Sequence, residues 1–157
     1  VHKDRRGFFK EINKKRILKK EFIFDCLSHS KRNTVRGLHF QRSNPQGKFI
    51  TVVQGEILDV AVDLRKNSKT FGKSFSITLS EKNCRSVYIP PGFAHGFQTL
   101  DKENIVYYSC TQYRSIGNEH GLNYKDNALK IKWPLKKSKI TQKDKTAKTF
   151  QELFKKT

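Results

Sequence analysis

RGLHFQRSNPQGKFITVVQGEILDVAVD, residues 36–63, is the stretch that decides the fold. After Gln46-Gly47, the run Lys48-Phe49-Ile50-Thr51-Val52-Val53 is apolar and β-branched, with no block of helix formers. Gln54-Gly55 interrupts it, and residues 57–64 resume with a similar composition. Two such runs split by a glycine-containing pair predict a β-hairpin. A histidine (His39) and a lysine (Lys48) ahead of that hairpin are placed to point into the hollow of a small barrel, where a ligand would lie.

Toward the N-terminus, Arg5-Arg6-Gly7-Phe8-Phe9-Lys10-Glu11 reads as a turn leading into an extended aromatic piece. Residues 14–20 suit a short polar surface helix and 22–27 an apolar strand. Toward the C-terminus, 63–70 is a charged loop, because Asn67-Ser68 between lysines offers turn chemistry and nothing to bury. Phe75, Ile77 and Leu79 alternate with Ser74, Ser76, Thr78 and Ser80, the pattern of a half-buried strand. Residues 86–89 and 105–111 supply two more strands. Between them, the prolines of Pro90-Pro91-Gly92-Phe93-Ala94-His95-Gly96-Phe97 argue against a central place in a ladder, and its glycines permit close backbone approach. Residues 112–126 read as loop and 130–134 as a short extended piece. Phe150, Leu153 and Phe154 at helical spacing predict a final helix. Short strands at near-regular intervals with Gly/Pro turns predict an all-β sandwich or barrel, as one domain over residues 1–157.

A chain of 157 residues can bury a proper core in one domain. No apolar run approaches membrane-spanning length and no signal peptide is visible, while an opening Val1 in place of Met is what a trimmed chain would show. The three cysteines, Cys26, Cys84 and Cys110, are odd in number and scattered, which argues against a disulfide framework or thiolate metal site and for a reducing cytoplasm. The net charge of +19 has two readings: an anionic partner, or lysine overused on solvated faces. The densest groups (Lys14-Lys15-Arg16, Lys19-Lys20, Lys136-Lys137) lie outside the aromatic strands, without the basic and aromatic interleaving of nucleic-acid-binding sheets. Solvated lysine is therefore favoured and a small anionic ligand comes second, with neither nucleic acid nor membrane expected as a partner.

Pro91-Gly92-Phe93-Ala94-His95 fits P-G-x-x-H, the second short motif of cupins, and points to a cupin-type jelly roll. The first cupin motif carries H-x-H, whereas His39 is followed by Phe40-Gln41. Two lone histidines make a poor zinc or iron site, so no metal and no cofactor are expected. His39 then becomes a candidate base in a metal-free site.

Arg36-Gly37-Leu38-His39-Phe40-Gln41, Gln46-Gly47-Lys48, Gly55-Glu56, Asp63-Leu64-Arg65-Lys66, Thr70-Phe71-Gly72 and the 89–97 segment together resemble the dTDP-4-dehydrorhamnose 3,5-epimerase family. Arg6-Gly7-Phe8-Phe9 at one end and Trp133-Pro134 and Lys143-Asp144 at the other extend the resemblance over nearly the whole chain. It implies a jelly roll that inverts carbon 3 and carbon 5 of a dTDP-4-keto-6-deoxyhexose, without cofactor, in cell-surface polysaccharide or related deoxysugar synthesis. It also implies a homodimer; family members carry about one more strand's worth of residues ahead of the Arg-Gly-Phe-Phe motif. That leading strand takes part in strand exchange, and this chain is expected to lack it.

Inverting a carbon beside a ketone requires a base on one face and an acid on the other. A cation or donor must also stand over the carbonyl oxygen as enolate charge builds. By resemblance His39 is the base and Asp144 the carboxylate that fixes its tautomer. Tyr108 is the proton donor and Lys48 the cation over the ketone oxygen. Arg6 and Glu11 match positions that hold the nucleotide, and Arg36, His95, Glu119 and Lys143 match further substrate contacts. Without the motif, His39 would read as a satisfied core histidine, Tyr108 as a core aromatic, His95 as a loop brace, Lys48 as one more surface lysine and Asp144 as a charge in a polar tail. Tyr107, next to the donor, should face the other side of its strand and suits an aromatic core role.

Two departures stand out. The family reads Gln-Asp-Asn-His-Ser where this chain has Phe24-Asp25-Cys26-Leu27-Ser28, so two or three polar substrate contacts become apolar. Where the family often has a Tyr-Tyr pair, this chain has Tyr113-Arg114. The alternatives left open are a single-centre epimerase, a keto-isomerase on a related sugar nucleotide, and a non-catalytic cupin that binds one.

Overall fold

The computed structural model describes residues 1–13 and 18–155. Eleven strands among them run in order: β1 (His2–Asp4), β2 (Gly7–Phe9), β3 (Phe24–Lys31), β4 (Val35–Gln41), β5 (Lys48–Gln54), β6 (Glu56–Asp63), β7 (Ser74–Ser80), β8 (Ser86–Ile89), β9 (Phe93–Thr99), β10 (Glu103–Cys110) and β11 (Glu119–Gly121). Two short helices follow, α1 (Gln142–Lys145) and α2 (Phe150–Phe154). Apart from a small β1–β2 hairpin, the strands form two antiparallel sheets, ordered β3-β10-β5-β8 and β11-β4-β9-β6-β7. The expected all-β jelly roll of the cupin class, with short helices near the C-terminus, is the architecture found. The surface helix expected over 14–20 falls largely on residues outside the described set.

One expectation fails in an instructive way. β5 and β6 are not hairpin partners: β5 pairs with β10 and β8, whereas β6 pairs with β7 and β9 in the other sheet. Only Gly55, at φ +81°, separates them, and a Cβ there would lie 2.4 Å from the Glu103 carbonyl oxygen. A one-residue link cannot close a two-residue hairpin turn. It makes a corner instead, and the chain crosses from one sheet to the other. Such a corner leaves composition unchanged on both sides, which is why the two runs look like a hairpin.

β9, read only as a turn-rich motif, is the central strand of the larger sheet, between β4 and β6. Pro90 and Pro91 precede it and so do not interrupt its ladder. The supposed loop over 112–126 contains β11, and no strand forms over 130–134. Asp63, assigned to a loop with nothing to bury, is 1% exposed and ends β6. Its carboxylate accepts from the Arg65 guanidinium at 2.7 Å and from the Ser68 and Thr70 hydroxyls at 2.6 and 2.7 Å.

Two hydrophobic cores result. The inner one, between the sheets, holds Ile50, Val52, Ile57, Leu79, Ile89, Phe97 and Val106, with Tyr108 against it. The outer one holds Val35, Leu38, Phe40, Val60, Val62 and Leu122 on the far face of the larger sheet, covered by Ile131, Trp133, Ile140, Phe150 and Leu153 of the C-terminal segment. Polar staples fix that segment. The Gln98 amide exchanges hydrogen bonds with Leu135 at 2.8 and 3.0 Å, and single bridges join Thr34 to Lys139 and Leu122 to Lys148. At the end, Thr149 and Glu152 form a capping box on α2.

Candidate active site

A register break places the central side chains. In the β4–β9 ladder Arg36 lies opposite Phe97 and His39 opposite His95, so Gly37 and Leu38 on β4 stand against Gly96 alone on β9. Directly opposed residues share a face of the sheet, and the bulge therefore turns Arg36 and His39 inward together. Gly37 at φ +113° makes the break possible; a Cβ there would sit 2.7 Å from both the Gly96 Cα and the His95 carbonyl oxygen.

His39 Nε2 lies 2.6 Å from Asp144 Oδ1. The C-terminal segment delivers that carboxylate: Thr141 caps α1 by accepting from the Asp144 N–H at 3.2 Å, and the Gly37 N–H approaches Asp144 Oδ2 at 3.5 Å. Burial disfavours the Asp144 charge, but the hydrogen bond and charge of His39, the Gly37 amide and Thr141 outweigh it, and the carboxyl lies below its usual range. An ionised carboxylate only accepts, so Nε2 carries the hydrogen and Nδ1 keeps the lone pair. Glu119 Oε1 is 3.7 Å from that Nδ1, beyond a hydrogen bond. Glu119 is held instead by Arg114 at 2.7 Å and Lys143 at 3.3 Å. Its carboxyl also lies below the ordinary value: burial opposes this, and Arg114, His39 and Lys143 overcome it.

The facing sheet supplies the other wall. Tyr108 lies opposite Ile50 on one side and Cys26 on the other, and Cys110 lies opposite Lys48 and Phe24. All six side chains therefore face inward. The Tyr108 hydroxyl is 2.9 Å from Ser28 Oγ, and its ring meets His95 edge-on at 6.5 Å between centroids. Since His95 is the cross-strand neighbour of His39, Tyr108 and His39 flank one space from opposite sheets. Burial pushes the phenol well above its ordinary pKa and the Ser28 hydrogen bond opposes the shift. Lys48, half-buried, has its ammonium pKa pulled down by burial, opposed by the nearby Cys110, Glu119, Cys26 and Asp59.

Of the other candidates, Arg36 lines this space and donates to Ser30 Oγ at 2.9 Å and the His29 carbonyl at 3.1 Å. His95 is braced from below, its Nε2 2.8 Å from Asp59 Oδ2, with both residues buried. Lys143 stands at the rim, 55% exposed. Arg6 is not brought to this group in the protomer: its exposed guanidinium donates to Asp4 at 2.7 Å in the β1–β2 turn. Glu11 lies exposed beyond β2. Tyr107 points away from the space, as alternation requires, but is no core aromatic; on the outer face its hydroxyl accepts from Ser109 at 3.1 Å. Ser28 and Asp59, partners of Tyr108 and His95, escaped sequence reading. A lone acid inside the apolar run Ile57-Leu58-Asp59-Val60 was a usable signal for Asp59; for Ser28 the signal was the serine kept at the end of the altered 24–28 segment. Among the described residues no cluster of three His, Cys, Asp or Glu side chains is arranged to hold a metal ion.

A profile of dTDP-4-dehydrorhamnose 3,5-epimerases matches residues 1–152. The chain belongs to the dTDP-4-dehydrorhamnose 3,5-epimerase family. Family relatives include an enzyme of that name from Methanothermobacter thermautotrophicus, 44% identical over 97% of this chain and 86% of the relative. The Legionella pneumophila dTDP-6-deoxy-D-glucose-3,5-epimerase, solved in complex with dTDP-4-keto-L-rhamnose, superposes with a TM-score of 0.91 at 39% identity, covering 94% of this chain and 82% of that one. ChmJ from Streptomyces bikiniensis, a 3'-monoepimerase solved with dTDP-quinovose, gives a TM-score of 0.88 at 27% identity over 97% and 82% of the two chains. Within this epimerase family, the departure at residues 24–28 is narrower than its sequence suggests. Leu27 is 65% exposed on the outer face and Asp25 accepts from Ser109 there, so only Phe24 and Cys26 alter the cleft.

Proposed function

We propose that this protein inverts carbon 3 and carbon 5 of a dTDP-linked 4-keto-6-deoxyhexose, converting dTDP-4-dehydro-6-deoxyglucose to dTDP-4-dehydrorhamnose. Nδ1 of His39 removes the proton beside the ketone, and the substrate's own carbonyl takes up the electron pair as an enolate. Asp144 holds Nε2–H and stabilises the imidazolium that forms. Lys48 receives the developing charge on the carbonyl oxygen. Tyr108 returns a proton from the opposite wall; its raised pKa keeps it protonated at neutral pH, and the enolate is basic enough to take that proton. Arg36, His95, Glu119 and Lys143 contact the substrate around this core. The observation that carries the reading is the 2.6 Å His39–Asp144 dyad facing the same space as Tyr108 and Lys48.

The protein acts as a homodimer. The outer face of the smaller sheet and the N-terminal hairpin expose Phe8 (57%), Phe9 (65%), Leu27 (65%) and Val53 (49%), more apolar surface than scattered positions explain. A second copy there would cover it, and would offer Arg6 and Glu11 a cleft to bind nucleotide. Three free thiols suit a reducing cytoplasm, and no helix among the described residues is long and apolar enough to cross a membrane. Incubation with dTDP-4-keto-6-deoxyglucose in heavy water tests the chemistry. Deuterium at both carbons supports it. Label at carbon 3 alone would favour the single-centre reading, for which the likeness to ChmJ speaks. No exchange with any 4-keto sugar nucleotide would leave a binding protein.

A further inference from the structure

Glu119 faces the working nitrogen of His39 and is held off it. It lies opposite Gln41, two residues along β4 from His39, so its carboxylate stands diagonally beside the imidazole on the inward face. Oε1 stops 3.7 Å from His39 Nδ1. The ties that stop it fall on the other oxygen: Oε2 accepts from Arg114 Nη2 at 2.7 Å, from Arg114 Nε at 3.2 Å and from Lys143 at 3.3 Å. Burial would push the Glu119 carboxyl up, and Arg114 does most to hold it below its usual range. The arginine is itself fixed. Gln41, buried at the end of β4, accepts from the Ser115 N–H at 2.7 Å and donates to the Tyr113 carbonyl at 3.3 Å, so one side chain pins the backbone on both sides of Arg114. Asn118 closes the turn behind it, its amide donating to Ser115 Oγ at 3.1 Å. Arg114 stands where the family often has the second tyrosine of a pair, and a neutral phenol brings no charge to set against a carboxylate.

We propose that Arg114 is a positioning residue for the base: it draws Glu119 outward, so that Nδ1 of His39 keeps its lone pair for the substrate. A hydrogen bond from a protonated Nδ1 to Oε1 would need an approach of only about 1 Å, within reach of a side-chain rotation. That contact would pair an imidazolium with a carboxylate that is 11% exposed, and such a pair favours the charged form of both partners. The ring would then hold its proton to higher pH, and the base would be capped by its own neighbour. Lys143 alone, longer at 3.3 Å and 55% exposed, is a weak restraint. Asp144, Arg36, His95 with Asp59 behind it, Tyr108 and Lys48 also face this space, and a substitution at 114 changes none of them.

The kinetic consequence rests on the epimerase reading above; the proton affinity of the ring does not, and the test reads both. Proton NMR of the full chain without substrate follows the His39 ring signal, identified by its loss in His39→Gln, through a pH titration. The midpoint is expected to rise by about one pH unit in Arg114→Gln. Arg114→Lys, which keeps the charge, should bring it back to within about half a unit of the wild type. In a Glu119→Gln background Arg114→Gln should move it by less than about 0.3 unit, because the group through which Arg114 acts is gone. The acidic limb of kcat/KM for deuterium exchange should shift with the midpoint, costing Arg114→Gln about tenfold below that limb. A midpoint that Arg114→Gln leaves within about 0.3 unit of the wild type overturns the proposal, even if kcat/KM falls uniformly with pH, since a scaffold role would do that. An equal rise in the Glu119→Gln background also overturns it, because the charge of Arg114 would then act on the ring directly. No exchange in any variant, with the titration shift present, would sink the epimerase reading and leave the role of Arg114 standing.

Discussion

Replacing Asp144 by Asn removes one charge from the His39 dyad and changes almost no volume. The side chain is buried, and its oxygen lies 2.6 Å from His39 Nε2. In the resting state the hydrogen bond joins a carboxylate to a neutral ring; once His39 takes the substrate proton it joins two charges. At that separation, two unit charges attract by about 6 kcal/mol at an effective dielectric constant of about 20. His39 is 27% exposed, so solvent screening applies. Discounting by about half leaves ~3 kcal/mol, felt only after proton transfer. That corresponds to a rate loss of about two decades. A second effect adds to it. The Asn amide can donate to Nε2, which moves the ring hydrogen to Nδ1 and blocks the lone pair that faces the substrate; a wrong tautomer of this kind costs up to about 10⁴ in a comparable His–Asp pair. We expect kcat for deuterium exchange at carbon 3 to fall between about 10²- and 10⁴-fold, with KM changed by less than about threefold because the lost interaction belongs to the transition state. The assay is proton NMR in heavy water with dTDP-4-keto-6-deoxyglucose, accompanied by a thermal melt. Exchange within about threefold of the wild-type rate, with the fold intact, would refute the assignment of Asp144 as the group that orients His39.

Lys48→Met should lower exchange by about 10²- to 10³-fold, as loss of an oxyanion donor does. In the wild type, burial lets the Lys48 ammonium of the free protein release its proton below the ordinary value of 10.5, so kcat/KM should decline on the alkaline side before that pH is reached. Folding should gain stability over the same interval, since the folded state prefers the neutral amine; an alkaline limb above the ordinary lysine value would contradict both. Gly37→Ala forces a Cβ to within 2.7 Å of the β9 backbone. It should cost about 3 kcal/mol or more, lowering Tm by roughly 6–12 °C, and a circular-dichroism melt within about 2 °C of wild type would show that the bulge tolerates a side chain. The net charge of +19 should steer an anionic nucleotide toward the protein. Raising NaCl from about 50 to 500 mM is then expected to reduce kcat/KM by about three- to tenfold with kcat little changed, and a flat salt profile would count against steering.

Local pattern carried the class of fold and most of the strands. Alternation along 74–80 and the β-branched runs on either side of Gly55 depend only on which face of a pleated strand is buried, and that information is local. The capping box at Thr149 and Glu152 likewise joins neighbours in the chain. The motifs around His39 and His95 drew attention to both histidines because short-range turn chemistry and reactive side chains stand side by side there. What sequence could not say is which strand pairs with which. Gly55 looks the same whether it closes a hairpin or turns a corner between sheets, because the choice is made by the partners β8, β9 and β10, which come later in the chain.

The site depends even more on partners that are remote in sequence. Asp144 lies 105 residues from His39 and gains its role only because the C-terminal segment is stapled across the larger sheet at Gln98, Thr34 and Leu122. Arg36 and His39, three positions apart, would point to opposite faces of a regular strand; the bulge at Gly37 turns both inward. Of the altered segment at 24–28, pairing with β10 sends Phe24 and Cys26 into the cleft and leaves Leu27 outside. By itself, then, the sequence determined the reactive groups and the strand-forming runs, since both are properties of single residues and their near neighbours. The tertiary structure decided which of those groups share one cavity and which face each presents, because sheet register and the path of the C-terminal segment are set by packing between residues far apart in the chain.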